Sequence, residues 1–95
     1  MTFDAFNALS YGEKIDLLGM KVMGWTSGSG HMADWNPLEK IEDAWMLTEK
    51  WCMIEIWKGP MEPWSCRFGY GLEVTAEKLP VAICISALKA VGVIV

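Results

Sequence analysis

Residues able to do chemistry are few in this 95-residue chain, and they are scattered. Its single histidine, His31, follows Ser27-Gly28-Ser29-Gly30. No acid is placed to orient that imidazole as Ser/His/Asp chemistry requires. A solvent-exposed loop histidine is the simpler reading. Asp34, Glu39, Glu42 and Asp43 crowd the start of one expected helix. Paired acids can do acid–base work, but capping and the helix dipole explain them with less. The cysteines Cys52, Cys66 and Cys84 form no CxxC pair and lie far in sequence from His31, so neither a metal site nor any other cofactor is expected. No phosphate-loop or dinucleotide fingerprint occurs. The expectation is a protein with no catalytic residues, and so not an enzyme.

Aromatic residues are the richer resource. Six Trp and seven Met stand in the chain, and a small core does not easily hide six indoles whose N–H groups each want a partner. Some of these rings are therefore expected to line a pocket or an interface. Trp25, Trp35, Trp45, Trp64 and Tyr70 can supply stacking surfaces. Arg67, Lys40, Asn36 and backbone N–H groups at the second helix start can supply donors to a phosphate or ribose. The competing reading for Trp35 and Trp45 is that they cement a loop to that helix. The net charge is -4, with Arg67 the only arginine, which argues against DNA or RNA as a partner. A small phosphorylated molecule stays within reach, because a few donors and a helix N-terminus suffice for it.

Composition bounds the frame that must position these groups. At 53% hydrophobic and 21% charged residues, the chain is too apolar for disorder and is expected to form one domain over residues 1–95. The odd cysteine count and the lack of a signal peptide suggest reduced thiols in a cytosolic setting. No stretch is long enough to span a bilayer; the longest apolar run, Val81 to Val95, is broken by Lys89.

The pattern predicts a first helix over Ser10 to Met23, with Ser10 and Glu13 as a capping box and Gly24 as its stop. A loop from Trp25 to Trp35 follows. A second helix is expected from Asn36-Pro37 to about Met53, with Ile41, Ala44, Trp45, Thr48, Trp51 and Cys52 along one stripe. Short antiparallel strands are expected near Glu55–Lys58, Trp64–Tyr70 and Leu72–Thr75. Alternation along Trp64, Cys66 and Phe68 sets Arg67 on the opposite face of that sheet. A last helix runs from Pro80 to Val91, with Gly92 as its stop. It is apolar all round, which predicts that it is sandwiched or shared with a second subunit, hence a homo-oligomer. The fold class is α+β: a small α/β/α sandwich of two N-terminal helices, a short antiparallel sheet and a C-terminal apolar helix.

Three runs of residues carry a resemblance. Lys21-Val22-Met23-Gly24-Trp25 closes the first helix. Trp35-Asn36-Pro37-Leu38, Ile41, Asp43-Ala44-Trp45 and Glu49-Lys50 mark the second. Pro80-Val81-Ala82-Ile83-Cys84 with Ala87-Leu88 marks the last. In this order and spacing, from Ser10 to Ala90, they resemble the phage ABA-sandwich domain family, small phage and prophage proteins with helices packed around a sheet. The family often has Arg after the Ala-Ile-Cys triplet, where this chain has Ile85; any ligand role of that Arg is lost here or passes to Arg67. By analogy with compact phage proteins that sequester nucleotide immune signals, the resemblance implies an anti-defence protein of the Thoeris-inhibitor kind. Such a protein binds an ADP-ribose-derived signal such as cyclic ADP-ribose, or a cyclic dinucleotide, in the host cytoplasm. The alternatives are a protein-interaction module that inhibits a host protein, and a minor phage assembly component.

Overall fold

The computed structural model describes residues 3–26, 34–49, 51–69 and 71–93. The loop around His31, Lys50 and Tyr70 lie outside the described residues. Among the described residues, four α-helices and a three-stranded antiparallel sheet make up the fold, the α+β class read from the sequence. Helix α1 spans Phe3–Ala8 and α2 spans Tyr11–Leu18, which runs on into a π-helical turn at Gly19–Met23. Helix α3 is Ile41–Met46. Strands β1 (Ile54–Trp57), β2 (Trp64–Phe68) and β3 (Val74–Ala76) follow, then α4 (Leu79–Ala90).

Local chemistry explains most of these boundaries. Ser10 caps α2: its backbone N–H donates to Glu13 Oε1 at 3.0 Å, and Glu13 N–H donates back to Ser10 Oγ at 3.2 Å. Gly24 ends the π-helical turn at φ 77, where a side chain would be strained. Helix α1 was not anticipated. Six residues are too few to hold a helix alone, and α1 is fixed by burial of Phe6 to 2% exposure.

Helix α3 is much shorter than expected. Residues 37–39 form a turn, with Lys40 N–H bonded to Asn36 O at 2.9 Å, and Lys40 is extended at φ -97, ψ 117. The Asp43 carboxylate, nearly buried, accepts the Asn36 backbone N–H at 2.8 Å and locks the turn against the helix. At the far end, the Thr48 hydroxyl donates to the Trp45 carbonyl, and the chain closes in tight i to i−3 turns. The expected stripe therefore divides. Ala44 and Thr48 are buried and Trp51 packs edge-on to Phe68, whereas Ile41, Trp45 and Cys52 are exposed.

Strand β2 is the centre of the sheet. Its register sets Ile56 opposite Cys66, Glu55 opposite Arg67 and Ser65 opposite Thr75. Ile54, Ile56, Trp64, Cys66, Phe68, Val74 and Ala76 share the face turned to the core. Glu55, Trp57, Ser65, Arg67 and Thr75 share the other face, as alternation requires.

Helix α4 is the middle layer. One side packs on β2 and β3, the other on α3 and the π-helical turn. Ala82 to Leu88 are all buried. Ser86 Oγ donates to Cys66 O on the sheet side at 3.2 Å, and Cys84 Sγ donates to Pro37 O on the helical side at 3.1 Å. The chain itself thus covers a helix that is apolar all round, and this feature no longer argues for a second subunit.

Two stability outcomes follow. Leu88→Ala should lower the unfolding free energy by about 2–5 kcal/mol in urea melts, against less than about 0.5 kcal/mol for the exposed Trp45→Ala. The Glu13 carboxyl is held below its ordinary 4.5 by hydrogen bonds from the Ser10 backbone and hydroxyl. Its contribution should be complete above pH 4.5 and be lost as pH falls toward the lower folded-state value. Glu13→Gln should remove that portion of the pH dependence.

A candidate ligand cavity at the amino end of helix α4

A cavity of about 470 Å³ opens where four segments meet. The capped helix α2 presents Tyr11 and Lys14, three residues apart and so on one face. Phe6 and Asn7 come from α1. The turn locked by Asp43 brings Leu38 and Glu39, and the link from β3 into α4 brings Thr75, Ala76, Glu77 and Lys78. Val81 and Ile85, one helical turn apart on α4, complete an apolar floor with Phe6 and Leu38. The N-cap residue of α4, Lys78, makes no side-chain capping bond, and the helix has Pro in its first turn.

The rim carries both signs of charge. Glu39 and Glu77 supply carboxylates, and Lys14 and Lys78 supply ammonium groups. None of these four closes a salt bridge among the described residues. Lys14 Nζ lies 5.4 Å from the Phe6 ring centroid, a cation–π distance. The Tyr11 phenol is held above its ordinary value, first by desolvation and then by its hydrogen bond to the Glu39 carboxylate and by that group's charge. It therefore stays a hydrogen-bond donor. A second cavity of about 380 Å³ lies at the other end of α4, against Phe68, Leu72 and Val93. It is poorer in free polar groups, since Ser86 Oγ there already donates to Cys66.

The residues expected to bind ligand are distributed differently. Trp25 and Trp35 meet edge to face at 4.7 Å, Trp35 being 3% exposed. Asn36 and Lys40 brace the same loop, Lys40 Nζ by donating to Asp34 O at 3.1 Å. These four residues come together, but as the joint that seats α3. The side chains of Trp35 and Asn36 nevertheless leave Nε1 and Oδ1 buried without a partner among the described residues. Trp45 is exposed on α3, and Trp64 packs on the core from β2. Arg67 stands on the far face of the sheet, as alternation predicted, paired with Glu55. None of these seven lines the cavity, and Tyr70 lies outside the described residues.

Ile85, where the resemblance leads one to expect Arg, is part of the cavity floor. Arg67 is across the sheet and does not replace it there. Sequence reasoning missed Tyr11, Lys14, Glu39, Glu77 and Lys78. Lys14 reads as the solvent face of an amphipathic helix, and the Tyr11–Lys14 spacing was the one signal that set a ring and a cation side by side.

Among the described residues, no group of three or more His, Cys, Asp or Glu is placed to hold a metal ion, and no helix is long and apolar enough to cross a membrane. Cys66 and Cys84 are buried, and burial raises both thiols, Cys84 the more strongly. Neither is a ready nucleophile.

The fold is a small α+β domain with a helix as its middle layer. The chain belongs to the phage ABA sandwich domain family, whose model matches residues 16–88, and this places it among bacteriophage proteins. No curated protein matches the chain, and no solved structure does either.

Thiol titration tests the burial pattern. Native protein should react with a bulky disulfide reagent at Cys52 alone, and all three cysteines should react after denaturation. Rapid native labelling of Cys84 would contradict the middle-layer position of α4.

Proposed function

We propose that this phage protein binds a small nucleotide-derived signalling molecule in the cavity at the amino end of α4 and sequesters it without cleaving it, as an anti-defence protein. One observation carries the reading: an apolar-floored cavity of about 470 Å³ whose rim holds an exposed phenol ring, two lysines that close no salt bridge among the described residues, and the start of α4. Its volume lies in the range of small-molecule sites. The Tyr11 ring, 46% exposed, offers a stacking surface for a base. Lys78 and the backbone at the start of α4 offer a phosphate both charge and N–H donors. The buried, protonated thiols of Cys66 and Cys84 favour storage over turnover. On this reading the protein acts in the host cytoplasm, and self-association would close the open side of the cavity.

A protein-interaction role has one observation of its own. Ile41 and Trp45, four residues apart on the outer face of α3, are 43% and 53% exposed.

A thermal-shift panel of ADP-ribose derivatives and cyclic dinucleotides separates the two. Sequestration predicts stabilisation by a member of the panel and its intact recovery after denaturation. Lys78→Glu should weaken binding by about tenfold to a hundredfold, the scale of one charge-assisted contact, while Trp45→Ala leaves it unchanged. If no nucleotide shifts the melting temperature, and a host protein captured from lysate is released by Trp45→Ala, the sequestration reading is overturned.

A further inference from the structure

The cavity's charges balance, and this restricts what it can hold. Lys14 and Glu39 face it from the α2 side, Glu77 and Lys78 from the β3–α4 link. The formal charges of these four cancel, in a chain whose net charge is -4. We propose that the cavity selects its ligand by charge type: it takes a nucleotide-derived molecule of at most one net negative charge, with its phosphate at Lys78 and hydroxyl or amine donors at Glu39 and Glu77. This rests on the reading of the cavity as a nucleotide site.

The two ends follow from what each side chain can do. A carboxylate only accepts hydrogen bonds, so Glu39 and Glu77 call for ribose hydroxyls, an exocyclic amine or a cationic ring. The Tyr11 phenol, held above its ordinary value by desolvation and by the neighbouring Glu39 carboxylate, stays protonated beside it, and a carboxylate has acceptor capacity left for the ligand. Of the two lysines, Lys14 lies over the Phe6 ring. Lys78 stands at the N-cap position of α4 and its side chain makes no capping bond. The phosphate therefore belongs at Lys78. A second phosphate has no cation of its own and lies close to a carboxylate, where like charges repel with little water between them.

Titration calorimetry of the full chain at about 50 mM salt, where screening is weak, tests this. The probes are 3′,5′-cyclic AMP, cyclic ADP-ribose, ADP-ribose and ATP. Affinity should fall by about tenfold for each added net negative charge. In the Glu39→Gln/Glu77→Gln protein that order should flatten or reverse, while cyclic AMP binds more weakly. Glu77→Gln alone, on the exposed link, should do the same in smaller measure if the double variant fails to fold. Affinity that rises with phosphate charge in the unaltered protein, or an order unmoved by the substitutions, overturns charge selection and leaves the nucleotide site standing. A folded protein that binds none of the four, and no cyclic dinucleotide either, overturns both.

Discussion

Burial of α4 on every side is the constraint on which the other elements depend. Seven consecutive residues, Ala82 to Leu88, are removed from solvent, so each side of the helix needs a cover built from elsewhere in the chain. The sheet supplies one cover through Cys66, Phe68 and Val74, and the helical layer supplies the other through Leu18, Val22, Ala44 and Leu47. Two hydrogen bonds mark how close these covers come. Ser86 reaches the backbone of β2, and Cys84 reaches the Pro37 carbonyl. Each bond gives a buried donor an acceptor in an apolar setting, where an unpaired polar group is costly.

The cavity is a consequence of that layering. Apolar burial is continuous along the middle of α4 but thins at its amino end, where Leu79, Pro80 and Val81 are only half-buried. There the covers diverge: α2 and the Leu38–Glu39 turn lie on one side, and β3 with its link lies on the other. The polar groups on the rim are residues just outside helices or at their solvent edges. The layers do not need them to be apolar, and none of the four charged groups among them closes a salt bridge among the described residues.

How much of this was legible in the sequence can be judged element by element. Helix α4, the capping box at Ser10, the stops at Gly24 and Gly92 and the two faces of β2 follow from local pattern, and local pattern is what the sequence carries most directly. Helix α3 was overextended because Asn36-Pro37 is a sound helix start by its own chemistry, and only the tertiary contact from Asp43 diverts it into a turn. The all-round apolarity of α4 was legible, but its reason was not. A helix covered by its own chain and one covered by a second subunit have the same sequence pattern, and only the layer order distinguishes them. The cavity was the least legible part, since its rim is assembled from four segments whose residues look individually like ordinary surface.

The tryptophans show why counting chemistry-bearing residues misdirects the search for a site in so small a domain. Trp25 and Trp35 form an edge-to-face pair, Trp51 packs on Phe68 and Trp64 on the core. Each fills volume that a chain of 95 residues must otherwise fill with several smaller side chains. Large rings are therefore drawn first into the layers, where apolar area is worth most. What remains for recognition is the mixed rim around α4's amino end, where one phenol and four balanced charges meet. Specificity at such a rim comes from donor and acceptor placement over an apolar floor.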